Sequence, residues 1–337
     1  MHKTDWFYQS KYGVMLHFLP QPWEETERKY PFHRQTELMA PSEWNRLVEK
    51  FDVPAVVNQL RETKAGYLLL SLGQTSGYYL APNRAYDKFG GFAAGDRCAI
   101  RDLPSELHSH LDQHGIKLML YLPIEPAAEM AKKLGLTHDP SAKSQFLPEA
   151  FVKKWCSIIQ WWSDHYGQSL SGWWFDGRSG NCAQTKQFVE AATHGNQGCI
   201  TNLGELGDYE GGHCAIAHRR ISDPEWFGRL DWEVQRGRMP DGRFTHEGLQ
   251  WHALLHFGEH WWDRDGFYDT NTEIMYTQEV IRNGGVVTWD CGPNIGRSEG
   301  PVGTISEIQM SKLLRIHDAV GKKSPAAANT NPRHNIR

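Results

Sequence analysis

Short apolar runs alternate along the chain with stretches whose apolar residues recur at helical spacing. The apolar runs lie at residues 12–19, 66–73, 117–124, 170–176, 199–204 and 283–292. The helical spacing occurs at residues 42–51, 54–63, 102–115, 148–166, 183–195, 271–282 and 306–320. Continuous apolar runs are typical of strands buried on both faces. The alternation therefore predicts β–α units, and with them a parallel sheet covered by helices.

Two helix starts carry cap signals. Ser42, with Asn45 three residues on, is a plausible N-cap, and Asp102 is the N-cap expected for a helix that Gly115 ends. Beyond residue 204 the pattern is weaker, and only 229–235 and 252–262 read as plausible strands.

The predicted fold class is α/β, a (β/α)8 TIM-like barrel that is irregular in its later strands. No glycine-rich phosphate-binding motif follows the first strand, which argues against an open doubly wound sheet. We expect one barrel domain over residues 1–320 and a polar, disordered tail over 321–337.

Composition narrows the class of partner. The net charge is −4 without a basic tract, which argues against nucleic acid, and no apolar run approaches the roughly 20 residues that span a bilayer. No secretory signal is recognised and the six cysteines include no CxxC pair, so we expect a cytoplasmic chain with reduced thiols. The 14 tryptophans either fill a large core or favour a carbohydrate ligand, on whose apolar faces indole rings stack.

Polar residues cluster where the predicted strands end, which is the active-site face of a β/α barrel. They are His17, Gln74, Thr75, Ser76, Glu125, Asp176, Arg178, Asn202, Glu205, Asp231, Glu233, His256, Glu259, Trp261, Trp262, Trp289 and Asp290. Carboxylates, histidines and tryptophans around one mouth suit glycoside hydrolysis, which uses a pair of carboxyl groups. No HxH or HExxH motif supports a metal site, and no cofactor is implied.

Asp176 is the strongest single candidate. It lies in the run Ser171–Gly177, SGWWFDG, directly after Gly172, Trp173, Trp174 and Phe175 and before Gly177. A carboxylate there is costly unless it has a partner or a purpose. The alternative is a helix N-cap or a salt-bridged loop aspartate.

Several segments in this order resemble the catalytic barrel of the α-L-fucosidase family of retaining glycosidases, glycoside hydrolase family 29. They are KYGVMLHF (11–18), KAGYLLLSLGQTSGYY (64–79), RDLPSELHSHLDQHGIKLMLYLP (101–123), SGWWFDG (171–177) and NGGVVTWDCGPNIG (283–296). The resemblance implies that Asp176 is the nucleophile that forms a covalent glycosyl-enzyme and that His17 binds a sugar hydroxyl. The family's acid/base varies in position and often follows a tryptophan, which favours Glu233, with Glu225 as the alternate and Glu205 and Glu259 behind them.

The chain departs from the family after the second strand. Where family members usually carry His-His-Asp-Gly-Phe, this chain has Gln74, Thr75, Ser76, Gly77 and Tyr78. We expect this change to affect the choice of sugar more than the mechanism. The substrate is therefore expected to be an α-L-fucoside or a related sugar such as an α-galactoside or L-arabinoside, and a barrel that binds carbohydrate without catalysis is the alternative. The β-sandwich that such fucosidases append is not expected here.

The remaining candidates are assigned to substrate binding. Gln74, Thr75 and Tyr78 can hydrogen bond a sugar, and Trp261 can stack on it, although rim packing is as good an account of Trp261. Trp289 either closes the floor of the sugar site or is a structural core residue. Arg178 either orients the nucleophile or bonds a loop carbonyl.

Overall fold

Eight strands form the centre of the structure, a computed structural model that describes residues 2–20, 39–74, 76–136, 147–176, 182–203, 214–218, 242–244, 248–258 and 261–321. The strands are β1 Tyr12–Leu16, β2 Tyr67–Ser71, β3 Lys117–Pro123, β4 Gly172–Asp176, β5 Ile200–Leu203, β6 Cys214–His218, β7 Gln250–His256 and β8 Val286–Cys291. They pair in sequence order, and β8 pairs with β1 to close a barrel. All pairs are parallel, and the register shifts between Ile216 and His218, among the later strands. The predicted α/β class with a parallel, barrel-like sheet is confirmed.

Helices in the connections surround the strands. They are α1 Asp5–Ser10, α2 Pro41–Glu49, α3 Val53–Thr63, α4 Arg84–Gly90, α5 Leu103–Leu111, α6 Ala128–Leu134, α7 Glu149–Tyr166, α8 Cys182–Thr193, α9 Thr270–Arg282 and α10 Glu307–Gly321. Among the described residues, no helix is both long enough and apolar enough to cross a membrane.

Alternate residues of each strand face opposite sides of the barrel wall, as the two-residue period of a strand requires. One row packs outward against the helices; on β1 and β2 this row includes Val14, Leu16 and Leu68. The other row fills the interior as a separate apolar cluster. This interior cluster comprises Phe7, Met15, Tyr67, Leu69, Met119, Tyr121, Trp174, Ile200, Leu254 and Val286. The barrel is therefore a packed core and not a pore.

Two glycines make room for large interior side chains. A Cβ atom on Gly13 would lie 2.3 Å from the ring of Tyr67, and one on Gly172 would lie 2.7 Å from Met119. Both distances are impossible for real atoms. The small residues of β1 and β4 are thus matched to the large residues of their neighbours, which is how a close-packed interior is filled.

The structure corrects several details of the predicted elements. The N-cap of α2 is Ala40 and not Ser42, because Pro41 occupies the first helical turn and Glu43 Oε2 accepts from the Ala40 amide at 3.1 Å. The N-cap expected at Asp102 is confirmed by its bond from the Ser105 amide. Strand β6 and helices α1, α4 and α6 were not predicted; each is only five to seven residues long, too short for a clear period. The strand expected at 229–235 and the tail beyond Gly321 lie outside the described residues.

His252 is the main polar group of the barrel interior. Its ring lies edge-on to Phe7 and Trp174, with centroids 4.9 and 4.6 Å away, and its Nε2 is 2.5 Å from Thr288 Oγ1. Thr288 Oγ1 is in turn 2.6 Å from the hydroxyl of Tyr67. Burial lowers the pKa of His252 to about 3. The imidazole is therefore neutral in the fold at physiological pH.

Because the pKa of His252 is lower in the fold than its ordinary value of 6.5, the fold resists protonation that the unfolded chain accepts. Stability from this group is complete above pH 6.5 and is lost as the pH falls toward 3. When the pH is lowered from 7 to 4.5, the free energy of unfolding should fall in both proteins. We expect this fall to be about 2–3 kcal/mol smaller in His252→Gln than in the parent protein. Urea unfolding at both pH values measures this. The matched control is His114→Gln, at an exposed histidine, and equal losses in parent and His252→Gln would contradict the prediction.

Candidate active site

The interior row changes from apolar to polar at the carboxyl ends of the strands. Side chains that share this end of the barrel are His17 after β1, Gln74 after β2, Asp176 on β4, Asn202 on β5, His256 on β7 and Asp290 on β8. Parallel strands all end at one face, so these groups surround one mouth. Most of them are buried, whereas Asp176 is the exposed member of its strand.

Asp176 is held by a chain of hydrogen bonds. The hydroxyl of Tyr121 donates to Asp176 Oδ2 at 2.6 Å, and Gln74 Nε2 donates to the same hydroxyl at 2.5 Å. The backbone of Asp176 is also fixed, since its carbonyl accepts from the Ile124 amide at 2.7 Å. The carboxylate thus has a defined position and remains accessible to solvent. It is neither a helix N-cap nor part of an ion pair among the described residues.

Tyr121 is the functional residue that sequence reasoning missed. Burial raises the pKa of its phenol well above the ordinary value, and the nearby Asp176 carboxylate raises it further. The hydroxyl therefore stays protonated and serves as a donor to Asp176. The available signal was a tyrosine two positions before the end of β3, on the row that also holds Met119. A phenol there has an apolar body in the core and a polar tip at the mouth.

A second group of contacts lies on the β1, β7 and β8 side of the mouth. His17 Nδ1 is 2.6 Å from Asp290 Oδ1, and the Trp262 amide donates to Asp290 Oδ2 at 2.9 Å. Trp262 adopts a positive φ of 61°, which is uncommon for a large residue. His17 lies next to Tyr121, with ring centroids 5.4 Å apart, so the two groups of contacts adjoin each other.

Aromatic rings border this second group. Trp261 lies 5.8 Å from His17 and 4.8 Å from His256 between ring centroids. His256 Nδ1 donates to the Gly258 carbonyl at 2.7 Å, because a carbonyl oxygen only accepts. Trp261 is partly exposed, which leaves part of an indole surface at the mouth beside the imidazoles.

Two predicted substrate-binding residues face away from the mouth. Trp289 stacks on Phe257 at 4.5 Å, and its indole N–H donates to Thr277 of α9. The hydroxyl of Tyr78 donates to the Met39 carbonyl at 2.5 Å, within the outer apolar layer. Neither side chain is therefore among the polar groups that surround the mouth. For Trp289 the reason is strand alternation, which turns Asp290 inward and its neighbour outward.

Seven of the predicted site residues lie outside the described residues. They are Thr75, Arg178, Glu205, Glu225, Asp231, Glu233 and Glu259. Asn202 is described and is nearly fully buried. Its amide nitrogen and oxygen have no hydrogen-bond partner in the described part of the chain. Within the same residues, no group of three His, Cys, Asp or Glu side chains could hold a metal ion.

The class that fold and site define is a parallel β/α barrel with one exposed, hydrogen-bonded carboxylate at its mouth, beside buried histidines and an indole. Solved structures with this fold include the α-L-fucosidase AlfC from Lactobacillus casei, with 15% identity and a TM-score of 0.59, covering 95% of this chain and 98% of that one. A family 29 α-L-fucosidase from Bacteroides thetaiotaomicron shares 13% identity with a TM-score of 0.58, covering 95% and 74%. The expected fold resemblance to the α-L-fucosidases is confirmed.

A further structural neighbour is the endo-fucoidan hydrolase MfFcnA4 from glycoside hydrolase family 107. It shares 12% identity with a TM-score of 0.67, and the match covers 94% of this chain and 53% of that one. No protein-family model and no curated protein matches the chain. At these identities the likeness is one of fold.

The hydrogen bonds of the Tyr121 hydroxyl lead to a prediction about stability. Tyr121→Phe removes the donor to Asp176 and the acceptor for Gln74 in a buried setting, so we expect the free energy of unfolding to fall by about 1–3 kcal/mol. Urea denaturation at pH 7 measures the change. Tyr8→Phe, at an exposed tyrosine of α1, is the control and should change stability by less than about 0.5 kcal/mol. If both variants behave alike, Tyr121 makes no net contribution through these bonds.

Proposed function

We propose that this chain is a retaining exo-glycosidase that cleaves an α-L-fucoside or a related sugar. The observation that carries the proposal is Asp176: an exposed carboxylate at the end of a buried strand, fixed by Tyr121 at the mouth of the barrel. A barrel of the same fold serves α-L-fucosidases and an endo-fucoidan hydrolase, proteins whose names share fucose as the sugar. This common sugar supports a fucoside as the first substrate to test.

In the first step, an oxygen of Asp176 bonds to the anomeric carbon while the bond from that carbon to the leaving oxygen breaks. Tyr121 is bonded to Oδ2, which leaves Oδ1 for the attack. A carboxyl group donates its proton to the leaving oxygen. In the second step that group removes a proton from water, whose oxygen displaces Asp176 from the anomeric carbon. Two displacements give net retention of configuration.

The phenol of Tyr121 has a specific part in this sequence. Its raised pKa keeps the proton on the oxygen, so it stabilises the negative charge of Asp176 before attack and again when the ester is cleaved. Its bond from Gln74 keeps the ring hydroxyl aimed at the carboxylate. Tyr121 thereby orients the nucleophile without giving up its proton.

The sugar itself is decided by groups that contact hydroxyls. Gln74, which stands where the family usually has a histidine, is 4% exposed and donates to Tyr121. An amide differs from an imidazole in its donors and acceptors, so its preference among sugar epimers differs too. For this reason α-galactosides and L-arabinosides are proposed as candidate substrates together with the fucoside. His17 is proposed to contact a sugar hydroxyl, and Trp261 is proposed to stack on the face of the sugar ring.

The role of Asp176 is tested with 4-nitrophenyl glycosides of these sugars. We expect Asp176→Asn to lower kcat at least a thousand-fold, because the amide does not form the covalent intermediate. A 2-fluoro glycosyl fluoride should label the parent protein, and peptide mass spectrometry should place the sugar on Asp176. Asp112→Asn, at an exposed aspartate remote from the mouth, is the matched control. Binding of the sugars without any turnover would favour the non-catalytic alternative instead.

The acid/base is proposed to be Glu233. We expect Glu233→Ala to lower kcat/KM about 10²–10⁴-fold for glycosides with poor leaving groups. The loss should be much smaller for activated aryl glycosides, which need no proton, and azide should restore turnover by replacing the activated water. Glu225→Ala is the comparison. Should that variant show the leaving-group dependence and azide rescue instead, the acid/base is Glu225.

A further inference from the structure

The contact between His17 and Asp290 is buried at the mouth of the barrel. The two side chains are 5% and 0% exposed, and Nδ1 lies 2.6 Å from Oδ1. His17 follows β1 and Asp290 belongs to β8, the strands whose pairing closes the barrel. The contact therefore spans the strand pair that closes the barrel.

Each of the two carboxyl oxygens of Asp290 has a hydrogen-bond partner. The backbone N–H of Trp262 only donates, and it donates to Oδ2. An ionised aspartate only accepts, so with Asp290 in that form His17 donates to Oδ1 from Nδ1. In the neutral ring the proton then lies on Nδ1, and Nε2 carries a lone pair.

The ring of His17 is also fixed in direction. Tyr121, Trp261 and Trp262 lie edge-on to it, with ring centroids 5.4, 5.8 and 5.8 Å away. No hydrogen bond joins Nε2 to any residue in the described ranges, whereas Nδ1 is fully used. Of the two ring nitrogens of His17, Nε2 is thus the one without a partner among the described residues.

We propose that Asp290 is a positioning residue that holds His17 in the tautomer with the proton on Nδ1, so that Nε2 accepts a hydrogen bond from a substrate hydroxyl. This inference rests on the proposed function for the identity of the ligand, but the tautomer itself does not depend on it. Neither residue transfers a proton or bonds covalently to the sugar in this role.

An amide at position 290 would reverse the arrangement. The Trp262 N–H still needs an acceptor, so the single oxygen of asparagine would face it and the NH₂ group would face His17. His17 would then accept at Nδ1 and carry its proton on Nε2. Asp290→Asn thus changes the tautomer while changing the size and shape of the side chain very little, as the same substitution does to a catalytic-triad histidine.

The first experiment needs no substrate. Long-range ¹H–¹⁵N correlation spectra of ¹⁵N-histidine protein report which ring nitrogen carries the proton, and His17→Ala identifies the His17 signals. We expect the Nδ1–H form in the parent and the Nε2–H form in Asp290→Asn. An Nε2–H or doubly protonated His17 in the parent would overturn the proposal, and that spectrum is available even where the variant does not fold.

The second experiment measures kcat/KM with 4-nitrophenyl α-L-fucoside in a double-mutant cycle. We expect Asp290→Asn and His17→Ala each to lose about 10–100-fold, the range of one hydrogen bond to a polar ligand group. The double variant should lose no more than His17→Ala alone, because Asp290 acts through His17. Losses that multiply would refute this mode of action.

Asp102→Asn is the matched control. Asp102 also accepts from a histidine, His165 Nε2 at 2.6 Å, and from a backbone amide, that of Ser105, but it caps α5 on the outer surface. The Asp102→Asn substitution should leave kcat/KM unchanged. If no glycoside is hydrolysed but the tautomer changes as described, the positioning inference stands and the proposed function falls. If glycosides are hydrolysed and the tautomer does not change, the proposed function stands and the positioning inference falls.

Discussion

The alternation of side chains along β4 is the constraint on which the site depends. Trp173 and Phe175 stack on each other in the outer layer, with ring planes 7° apart, while Trp174 fills the interior. This places Asp176 on the interior row at the mouth, next to the hydroxyl of Tyr121. A register shift of one residue would turn the carboxylate toward the helices and bring Phe175 to the mouth. The apolar packing below the mouth therefore sets the position of the Asp176 carboxylate.

The same alternation explains how much of the molecule the sequence could predict. The apolar runs identified most strands, and the abrupt change from Phe175 to Asp176 marked a strand end. The direction of Trp289 follows from the same alternation, because it stands between Thr288 and Asp290 and so belongs to the opposite row of β8. The contact of Tyr121 with Asp176 joins residues 55 positions apart and depends on the pairing of β3 with β4. Glu233 and Glu225 lie in the weakly patterned region, where no period indicates an element.

Polar groups at the mouth are costly to bury, and the structure offsets that cost by linking them. Gln74, Tyr121 and Asp176 form one linked set, and His17 and Asp290 form another with the Trp262 amide. A buried network in which each member has its partner fixes side-chain rotamers as well as saving desolvation energy. Fixed rotamers are what a reaction at a single carbon requires, since misplacement by about 1 Å costs a large part of the rate. Below this layer, burial keeps His252 uncharged, and the interior contributes packing.

The apolar interior and the polar mouth place different demands on the sequence. This difference is consistent with a barrel fold that this chain shares with proteins of only 12–15% identity. The layer beneath the mouth requires apolar residues of suitable volume, and many combinations satisfy that requirement. The carboxylate and its donor depend on strand register, which those combinations preserve. Gln74 follows a strand and does not lie within one, so its position is less tied to strand register than that of Asp176, although its amide still donates to Tyr121. On physical grounds, then, groups that follow the strands are freer to diverge than the Asp176 carboxylate, which strand register holds in place.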